Sequence, residues 1–254
     1  MPAGQCHGAG RKPDGMLIVH ADFERRIDLP GAGPCRRPVD LDRSRTGFSK
    51  LVSLRVYSFR QGVVIDGEAE ADEVFIVLMR GEAGIKVAME GNEAGVFSIA
   101  GNGGLRAVYL PPEASYRLTA VTDCDIAYAR VEPLGTTLPE TRSFAPTGDQ
   151  LEVVGHATGM DLAFATVRAG AVVGHDKDGR SPERFVHFRA VDEMSAIVAG
   201  ELVGDWDTIA FDDGESIIMK VEAGAADVLT VSASASRHVA SNGATEALWT
   251  ASRV

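Results

Sequence analysis

Short apolar runs rich in Val, Ile, Leu and aromatic residues follow one another from Gly47 towards the end of the chain, separated by Gly, Asp or Pro. In the first half these runs are LVSLRVYSF, EVFIVLM, AGIKVAM, RAVYLP, YRLTAV and CDIAYARV. In the second half they are DLAFATV, AVVG, RFVHFRAV, AIVAGELV, SIIMKV and DVLTVSA. Because the runs have the length of strands and continuous helical periodicity is scarce, the pattern predicts an all-β sandwich or barrel protein.

The stretches around these runs define the predicted organisation of the chain. Residues 1–46 form an N-terminal extension, with a Gly-rich, flexible start and one helix-like stretch from about His20 to Asp28. Residues 47–131 form a first barrel, and residues 151–254 form a second. Residues 132–150 contain three prolines and little apolar periodicity, which is typical of a linker.

The two halves resemble each other, which indicates an internal duplication. Arg60–Val64 aligns with Arg168–Val172 at an offset of 108 positions. Two further matches share an offset of 111 positions, namely Val74–Val77 with Phe185–Phe188 and Tyr116–Thr119 with Asp227–Thr230. A small change in loop length accounts for the difference between the two offsets.

Composition narrows the class of function. The chain has 254 residues, 45% of them hydrophobic, and a net charge of −11. Nucleic acids and anionic membranes require clustered Lys and Arg, so neither is an expected partner of this acidic protein. No apolar run reaches the roughly 20 residues that span a bilayer. Three widely spaced cysteines, Cys6, Cys35 and Cys124, favour reduced thiols and a cytoplasmic location.

Three segments of the first half resemble one known family. They are GFSKLVSLRV from Gly47, EVFIVLMRGEA from Glu73 and AVYLPPEASY from Ala107, where the Pro-Pro turn before Tyr116 is the most specific feature. With the duplication, they are similar to bicupins, and in particular to the 5-deoxy-glucuronate isomerase family of inositol catabolism and its relative 5-keto-4-deoxyuronate isomerase. The resemblance covers about a third of the chain, from Gly47 to Val131.

The resemblance implies a fold, a reaction and a metal site. The fold is two tandem cupin barrels, each a double-stranded β-helix or jelly roll. The reaction is the aldose–ketose isomerisation of a deoxy-uronic acid, which makes the small-molecule partner a sugar acid. In that family a His-x-His pair, a Glu and a third His of the second barrel hold a divalent metal that polarises the substrate carbonyl.

This chain departs from the ligand pattern of that family. Aligned on the family, the four ligand positions of the second barrel hold Val173, His175, Arg184 and Asp227. A guanidinium at the ion position would repel a metal or replace it, so no cofactor is expected. Zinc, manganese, iron or nickel would bind only if the family site survives. The first barrel has Ile65, Gly67, Glu73 and Tyr116 at the same positions.

Five residues are therefore candidates for a functional site. His175, Arg184 and Asp227 are pocket candidates in the second barrel, since Arg suits a carboxylate and Asp accepts hydrogen bonds from sugar hydroxyls. The alternatives are an Arg184–Asp227 ion pair at the barrel mouth and a His175 that bonds only within its loop. In the first barrel, Glu73 and Tyr116 are candidates for binding or acid–base chemistry, or for a hydrogen-bonded pair that closes the barrel.

A shift of one residue in strand register would change this assignment, because side chains alternate between the two faces of a strand. Glu183, Phe185 and His187 would then face inward. In that register His175, Glu183 and His187 would form a three-ligand metal site.

Three functions are open on the sequence alone. The first is a sugar-acid isomerase, with Arg184 as the electrophile in place of a metal and His175 as the proton carrier. The second is a metal-free protein that binds a sugar acid or another small metabolite without catalysis. The third is a structural bicupin without a ligand. A homodimer is expected, because pairing covers strand edges that would otherwise stay exposed.

Overall fold

A computed structural model describes the protein over residues 16–101, 103–133, 140–148, 150–153, 159–175, 183–212, 217–233 and 250–252. Most of these residues lie in strands, and the one helix among them is α1 (Arg43–Thr46), which has four residues. The strands are β1 (Leu17–Val19), β2 (Arg26–Leu29), β3 (Gly33–Asp42), β4 (Leu51–Phe59), β5 (Val64–Glu68), β6 (Glu73–Arg80), β7 (Glu82–Met89), β8 (Asn92–Ala100), β9 (Ala107–Leu110), β10 (Ser115–Ala120), β11 (Cys124–Val131), β12 (Arg142–Phe144), β13 (Gln150–Val153), β14 (Met160–Arg168), β15 (Val172–His175), β16 (Arg184–Ala190), β17 (Ser195–Val198), β18 (Glu201–Val203), β19 (Thr208–Phe211), β20 (Ile217–Ala223), β21 (Ala225–Ala233) and β22 (Thr250–Ser252). No helix in the described part of the chain is long and apolar enough to cross a membrane.

The described strands form four sheets. Two of them, ordered β12-β9-β6-β11-β4-β3-β2 and β5-β10-β7-β8, enclose an apolar interior and are called the first barrel here. The other two, ordered β1-β19-β16-β21-β14-β13 and β18-β17-β20-β15-β22, enclose a second interior and are called the second barrel. The order β9-β6-β11-β4 recurs as β19-β16-β21-β14, and β5-β10-β7-β8 recurs as β15-β20-β17-β18. The all-β prediction is confirmed, and the repeated order agrees with two tandem barrels.

Backbone hydrogen bonds show which residues of the two barrels correspond. Gly62 N donates to Ala120 O, and Gly170 N donates to Val221 O, each over 2.9 Å. Both glycines have a positive φ, 82° and 85°, because each closes a tight turn before the next strand. Gly62 therefore corresponds to Gly170, which agrees with the predicted offset of 108 positions.

The next predicted match is wrong by one residue. Leu78 N donates to the carbonyl oxygen of Arg106 over 2.9 Å, and Phe188 N donates to that of Asp207 over 3.0 Å. Leu78 thus corresponds to Phe188 at an offset of 110 rather than 111 positions. Counting back along the strands pairs Val74 with Arg184 and Glu73 with Glu183. Because strand side chains alternate, this one residue decides which of them faces the barrel interior.

The third predicted match is also wrong. β10 lies between β5 and β7, and the strand in the same place of the second barrel is β20. Tyr116 pairs with Gly67, and Ile217 pairs with His175, so Ile217 rather than Asp227 corresponds to Tyr116. The physical reason is a shorter hairpin: β7 and β8 have eight and nine residues, whereas β17 and β18 have four and three. Because this hairpin is shorter in the second barrel, the offset between corresponding residues cannot be the same before and after it.

Segments outside the predicted barrels also join the sheets. β1 pairs with β19 at the edge of a second-barrel sheet, and β2 and β3 extend a first-barrel sheet beyond β4. The stretch from His20 to Asp28 ends in β2 and contains no helix in the structure. β12, inside the predicted linker, pairs with β9. These short segments supply the backbone partners that sheet edges would otherwise lack. Residues 1–15 lie outside the described residues.

The two barrels pack against each other through a shared apolar layer, called the inter-barrel core here. It includes Phe75 of β6 and Phe185 of β16, together with residues of β4, β14 and β21. The alternate residues Val74 and Val186 lie instead in the interiors of the first and second barrels. Each central strand is therefore buried on both faces, which explains why its sequence is continuously apolar.

Two buried glutamates connect the barrels in opposite directions. Glu73 lies at the start of β6, and its Oε2 accepts a hydrogen bond from the backbone N–H of Gly159, the residue directly before β14. Glu183, directly before β16, accepts from Lys50 N over 2.8 Å, from Leu51 N over 2.7 Å and from the backbone and hydroxyl of Ser49. Each carboxylate thus fixes the start of a long strand of the other barrel, β14 or β4, and the two contacts are related by the repeat.

Substituting Glu183 tests this connection. Burial by itself raises the pKa of Glu183, but the hydrogen bonds from Leu51, Ser49 and Lys50 outweigh it and hold the pKa below the usual value of 4.5. We expect Glu183→Gln to lower the free energy of unfolding by about 2–4 kcal/mol, because an amide N–H would face backbone donors. Urea denaturation measures the loss, and Glu68→Gln at an exposed position of β5 is the control.

The pH dependence of that loss has a fixed sign. A carboxyl whose folded pKa is depressed stabilises the fold above its unfolded pKa, and loses that contribution as the pH falls through the folded pKa. The difference between wild type and Glu183→Gln should therefore be full at neutral pH and shrink below about pH 4.5, the ordinary glutamate value. An equal difference at pH 7 and pH 3 would contradict the assignment.

Candidate functional site

Arg184 lies on the interior face of the second barrel. It begins β16, and it shares a face with Val186 and Phe188, which belong to the apolar interior. Its side chain is 6% exposed, and its guanidinium carbon lies 6.0 Å from the centre of the Phe211 ring. The barrel therefore holds a cation at the position where the family resemblance places the metal-binding glutamate.

Two hydroxyls accompany this guanidinium. Ser232 of β21 lies directly opposite Arg184, and Thr230 lies opposite Val186 on the same interior face. Their residues are 0% and 1% exposed, and neither hydroxyl has a hydrogen-bond partner in the described part of the protein. A buried polar group without a partner costs free energy, so such groups mark positions where a ligand or water completes the bonding.

Asp227 is not part of this group, which corrects the prediction for it. The cross-strand partner of Asp227 is Arg189, whereas that of Arg184 is Ser232. The two residues are therefore five positions apart along the ladder, about 17 Å at roughly 3.4 Å per residue, and no ion pair between them is possible. Asp227 instead accepts a hydrogen bond from Thr166 Oγ1 over 2.6 Å.

Asp227 faces the inter-barrel core because it alternates with the interior residues of β21. Its negative charge opposes the effect of burial on Arg106 of the first barrel, whose pKa is lowered chiefly by that burial. The guanidinium of Arg106 lies 4.3 Å from the centre of the Phe164 ring of the second barrel. On the opposite side Arg189 donates to Asp125 over 3.0 Å. Asp227 therefore belongs to a set of charges that joins the barrels.

His175 is placed only by its backbone, at the end of β15 opposite Ile217. Its side chain lies outside the described residues. The pairing puts Ile217, and not Asp227, at the third-histidine position of the resemblance. The donors there do not fit a divalent metal, because a guanidinium and two aliphatic side chains stand at three of the four ligand positions. Across the described residues no group of three His, Cys, Asp or Glu side chains converges on one point.

The alternative register is wrong. Glu183 faces the first barrel and uses both carboxylate oxygens on the backbone of residues 49–51. His187 is fully buried near the inter-barrel core, where its Nδ1 lies 2.9 Å from Thr208 Oγ1. Burial, with a smaller effect of Arg189, lowers the pKa of His187 to about 3, so its imidazole is neutral. The trio of His175, Glu183 and His187 does not surround the interior of the second barrel.

Glu73 and Tyr116 are separated by a sheet. Glu73 faces the inter-barrel core, where burial raises its pKa against the hydrogen bonds from Gly159 and Tyr109. Tyr116 packs on the interior of the first barrel, where its ring lies 6.0 Å from that of Tyr128. The predicted pair therefore does not form, because the register places Val74 rather than Glu73 on the interior face.

Tyr116 stands at the third-histidine position of the resemblance, and its ring fills the space beside Gly67, which stands at the second. A Cβ added to Gly67 would lie 2.4 Å from the hydroxyl oxygen of Tyr116, so the ring lies flat against this glycine. Burial raises the pKa of Tyr116 to about 12, which keeps the phenol neutral. The side chain also borders a cleft of about 730 Å³ with several carboxylates at its edge. Tyr116 therefore closes the first barrel where a metal would lie.

Thr230 and Ser232 are site residues that the sequence analysis does not single out. The run DVLTVSA alternates in the way of a strand, so Val228, Thr230 and Ser232 share one face. That alternation was a usable signal. The alternation points to Arg184 only when β21 is placed beside β16. The incorrect match of Asp227 with Tyr116 places β21 elsewhere, so the sequence does not reveal this pairing.

Comparison with known proteins gives one family match. The model of the KduI/IolB family matches residues 35–160. This segment covers the first barrel from within β3 onward and ends at the start of β14, before Arg184. No curated protein sequence matches the chain at a significant level.

Solved structures are similar over most of the chain. An IolB-like protein from Salmonella typhimurium LT2 has a TM-score of 0.65 at 16% identity, covering 85% of this chain and 92% of that one. YlbA from E. coli has a TM-score of 0.67 at 15% identity, with 92% and 96% covered. Oxalate decarboxylase from Bacillus subtilis, which carries Mn(II) centres, has a TM-score of 0.62 at 8% identity, with 86% and 77% covered.

These neighbours and the repeated sheet order define the class of the protein, which is a cupin. Within that class the family match is to KduI/IolB, a family that includes 5-keto-4-deoxyuronate isomerase. The protein is therefore a cupin similar to IolB, and the family model matches it over residues 35–160. The family resemblance predicted from the three segments of the first half is confirmed.

Because the residues at the ligand positions of the second barrel do not suit a divalent metal, we expect the purified protein to contain little metal. Protein purified without chelators or affinity metals should contain well below one equivalent of zinc, manganese, iron or nickel per chain. Elemental mass spectrometry of the purified protein checks this. About one bound equivalent, retained through gel filtration and lost in a His175→Ala variant, would contradict the donor assignment.

The contact between Tyr116 and Gly67 is testable by substitution. Gly67→Ala should lower the free energy of unfolding by about 1–3 kcal/mol, because the tyrosine ring must move from the added methyl group. In a Tyr116→Ala background the same change should cost little, which a double-mutant cycle in urea measures. Gly84→Ala on β7 is the matched control, since a Cβ there meets nothing within 4 Å.

Proposed function

We propose that the second barrel binds a sugar acid and that Arg184 holds the carboxylate of this ligand. The observation that carries the proposal is the buried arginine on the interior face beside two unpartnered hydroxyls, those of Thr230 and Ser232. The planar donors of a guanidinium match the two oxygens of a carboxylate. The hydroxyls bond to the ligand and so recover hydrogen bonds that burial removed.

A sugar acid fits the other groups of this interior better than a purely apolar or purely anionic ligand. Its hydroxyls exchange hydrogen bonds with Ser232 and Thr230, while the C–H faces of the sugar contact apolar residues such as Phe188 and Val228. The match to a family of sugar-acid isomerases supports the same class of ligand. The similar structures, all below 25% identity, support the fold alone.

Isomerisation of a deoxy-uronic acid is a second candidate function, favoured by the family match. In an aldose–ketose conversion the proton on C2 moves to C1 and the O2 proton moves to O1, while the carbonyl passes from C1 to C2. Arg184 is suited to stabilise the negative charge on the carbonyl oxygen during this transfer. His175, on β15 of the same barrel, is the candidate for carrying the proton. Proton NMR of 5-deoxyglucuronate incubated with the protein tests for the ketose product.

Isothermal titration with D-glucuronate tests the binding proposal. We expect saturable binding to the wild type and at least tenfold weaker binding to D-glucose, which lacks the carboxylate. Arg184→Met should weaken glucuronate binding by a factor of about 10 or more, as expected for losing a charge-assisted hydrogen bond of about 1.5–3 kcal/mol. Ser232→Ala should weaken it by a smaller factor, because it removes a neutral bond.

The control variant is Arg117→Met, which removes an exposed arginine paired with Asp66 on the first barrel. It should leave the second-barrel site unchanged. Thermal unfolding of each variant separates loss of binding from loss of fold. If Arg184→Met folds normally and binds glucuronate as tightly as the wild type, the carboxylate lies elsewhere and the proposal is wrong.

A further inference from the structure

We propose that the first barrel holds a binding site for a phosphate group at the edge where β2, β3 and β4 lie side by side. The site consists of three arginines around one aspartate and is called the arginine cluster here: Arg25, Arg37, Arg55 and Asp40. It lies on other strands than the sugar-acid pocket at Arg184 and does not depend on that pocket. None of its members stands at a ligand position of the family resemblance.

One carboxylate brings the three guanidiniums together. Arg25 Nη1 and Arg37 Nη2 lie 3.1 Å and 2.8 Å from the same oxygen, Oδ2 of Asp40. Arg55 Nε lies 3.3 Å from the other oxygen of that carboxylate, Oδ1. Because Arg25 and Arg37 share one oxygen atom, their two nitrogens lie within about 6 Å of each other. Three positive charges therefore surround a single negative one.

The register of the strands explains this convergence. Asp40 of β3 lies directly opposite Arg55 of β4, so the two side chains point to the same face of the sheet. Tyr57, two residues after Arg55, shares this face and packs on the interior of the first barrel. The backbone N–H of Arg37 donates to the carbonyl oxygen of Arg25 over 3.2 Å, which holds Arg25 beside β3. The arginine cluster thus lies at the rim of that interior.

The charges of the arginine cluster are not balanced by its acidic neighbours. A fourth arginine, Arg45, donates to the backbone carbonyl oxygen of Asp40 over 3.0 Å. The one further carboxylate in this network is that of Asp42, whose pKa is lowered chiefly by the hydrogen bond from Ser44, with a smaller effect of Arg55. Four guanidiniums thus stand against two carboxylates, which leaves an excess of two positive charges.

This positive charge is confined to one stretch of the chain. Residues 25–60 contain nine Lys and Arg and three Asp and Glu, whereas the whole chain has a net charge of −11. On the opposite face of the same strands Arg26 lies directly opposite Arg36, and both are exposed. Like charges in such a pair cost stability. A basic edge on an acidic protein attracts anions to that one place.

The arginine cluster keeps hydrogen-bond donors for a ligand. Arg55 uses only its Nε on Asp40, and Arg25 uses only one Nη. Their side chains are 34% and 39% exposed, so the other N–H groups are open to a ligand from solution. The Nε of Arg37 is buried and has no hydrogen-bond partner among the described residues. An oxyanion held between Arg25 and Arg55 accepts bonds that the protein itself does not satisfy.

A phosphate group matches the arginine cluster better than a carboxylate does. A phosphate monoester carries about 1.5 to 2 negative charges at neutral pH and has three strong acceptor oxygens, whereas a carboxylate carries one charge. One phosphate group therefore offsets the excess of two positive charges, and its oxygens match the planar donors of more than one guanidinium. The group can belong to inorganic phosphate or to a phosphorylated small molecule.

Isothermal titration of the full-length protein with inorganic phosphate and, separately, with D-glucose 6-phosphate tests the proposal. We expect saturable binding, and the probe that binds more tightly identifies the source of the phosphate group. Arg25→Met and Arg55→Met should each weaken binding by a factor of about 10 or more, because each removes charge-assisted hydrogen bonds. Asp40→Asn should strengthen binding several-fold, since the carboxylate that competes for the arginines loses its charge.

Matched variants separate this site from the rest of the protein. Arg117→Met, which removes an exposed arginine paired with Asp66, should leave phosphate binding unchanged. Arg184→Met should leave it unchanged as well, whether or not the second barrel binds a sugar acid. Thermal unfolding checks that each variant is folded, and Arg25→Met, at the most exposed of the three arginines, keeps the test valid if Arg55→Met fails to fold.

Two results would overturn the proposal. One is a wild type that binds neither probe at millimolar concentration. The other is phosphate binding that folded Arg25→Met and Arg55→Met variants retain in full, which would place the anion elsewhere. Neither result bears on glucuronate binding at Arg184, so this proposal and the proposed function can fail separately.

Discussion

The packing of one barrel against the other is the constraint on which the rest of the structure depends. The inter-barrel core buries one face of β6 and one face of β16, and each barrel interior buries the other face. Glu73 and Glu183 then fix this arrangement by bonding to the backbone of the opposite barrel. Because both faces of each central strand are committed, a side chain has only two possible environments, and a single residue of register chooses between them.

The choice of strand face explains which charged residues belong to the candidate site in the second barrel. On the face towards the other barrel the charged residues serve the interface, as Glu183, Asp227 and Arg189 do. On the interior face the same strands carry Arg184 with Ser232 opposite. On β16 and β21 the charges that join the barrels and the candidate ligand-binding charge lie on opposite faces. Polar residues close together in sequence therefore have unrelated tasks.

Among the described residues, the interiors of the two barrels hold different groups at the ligand positions of the resemblance. In the first barrel the ring of Tyr116 lies against Gly67, and Val74 stands where a glutamate would be. In the second barrel Arg184 takes the corresponding position. A guanidinium cannot coordinate a cation, but it can carry out the electrostatic task of one, which is to hold and polarise an oxygen of the ligand. The proposed carboxylate site at Arg184 uses this property.

The sequence by itself determined the all-β class, the repeat, the family and the cation at Arg184, because these depend on local alternation and on short motifs that need no partner strand. It could not determine which side chains meet. The prediction for Glu73 and Tyr116 fails because the register places Val74 on the interior face. The prediction for Asp227 and Arg184 fails because the alignment crosses a shortened hairpin. Only the tertiary structure decided the register, the role of β1 to β3, and the neighbours of Ser232. Strand pairing brings together residues far apart in the chain, and a period of two leaves either face possible until the partner strand is in place.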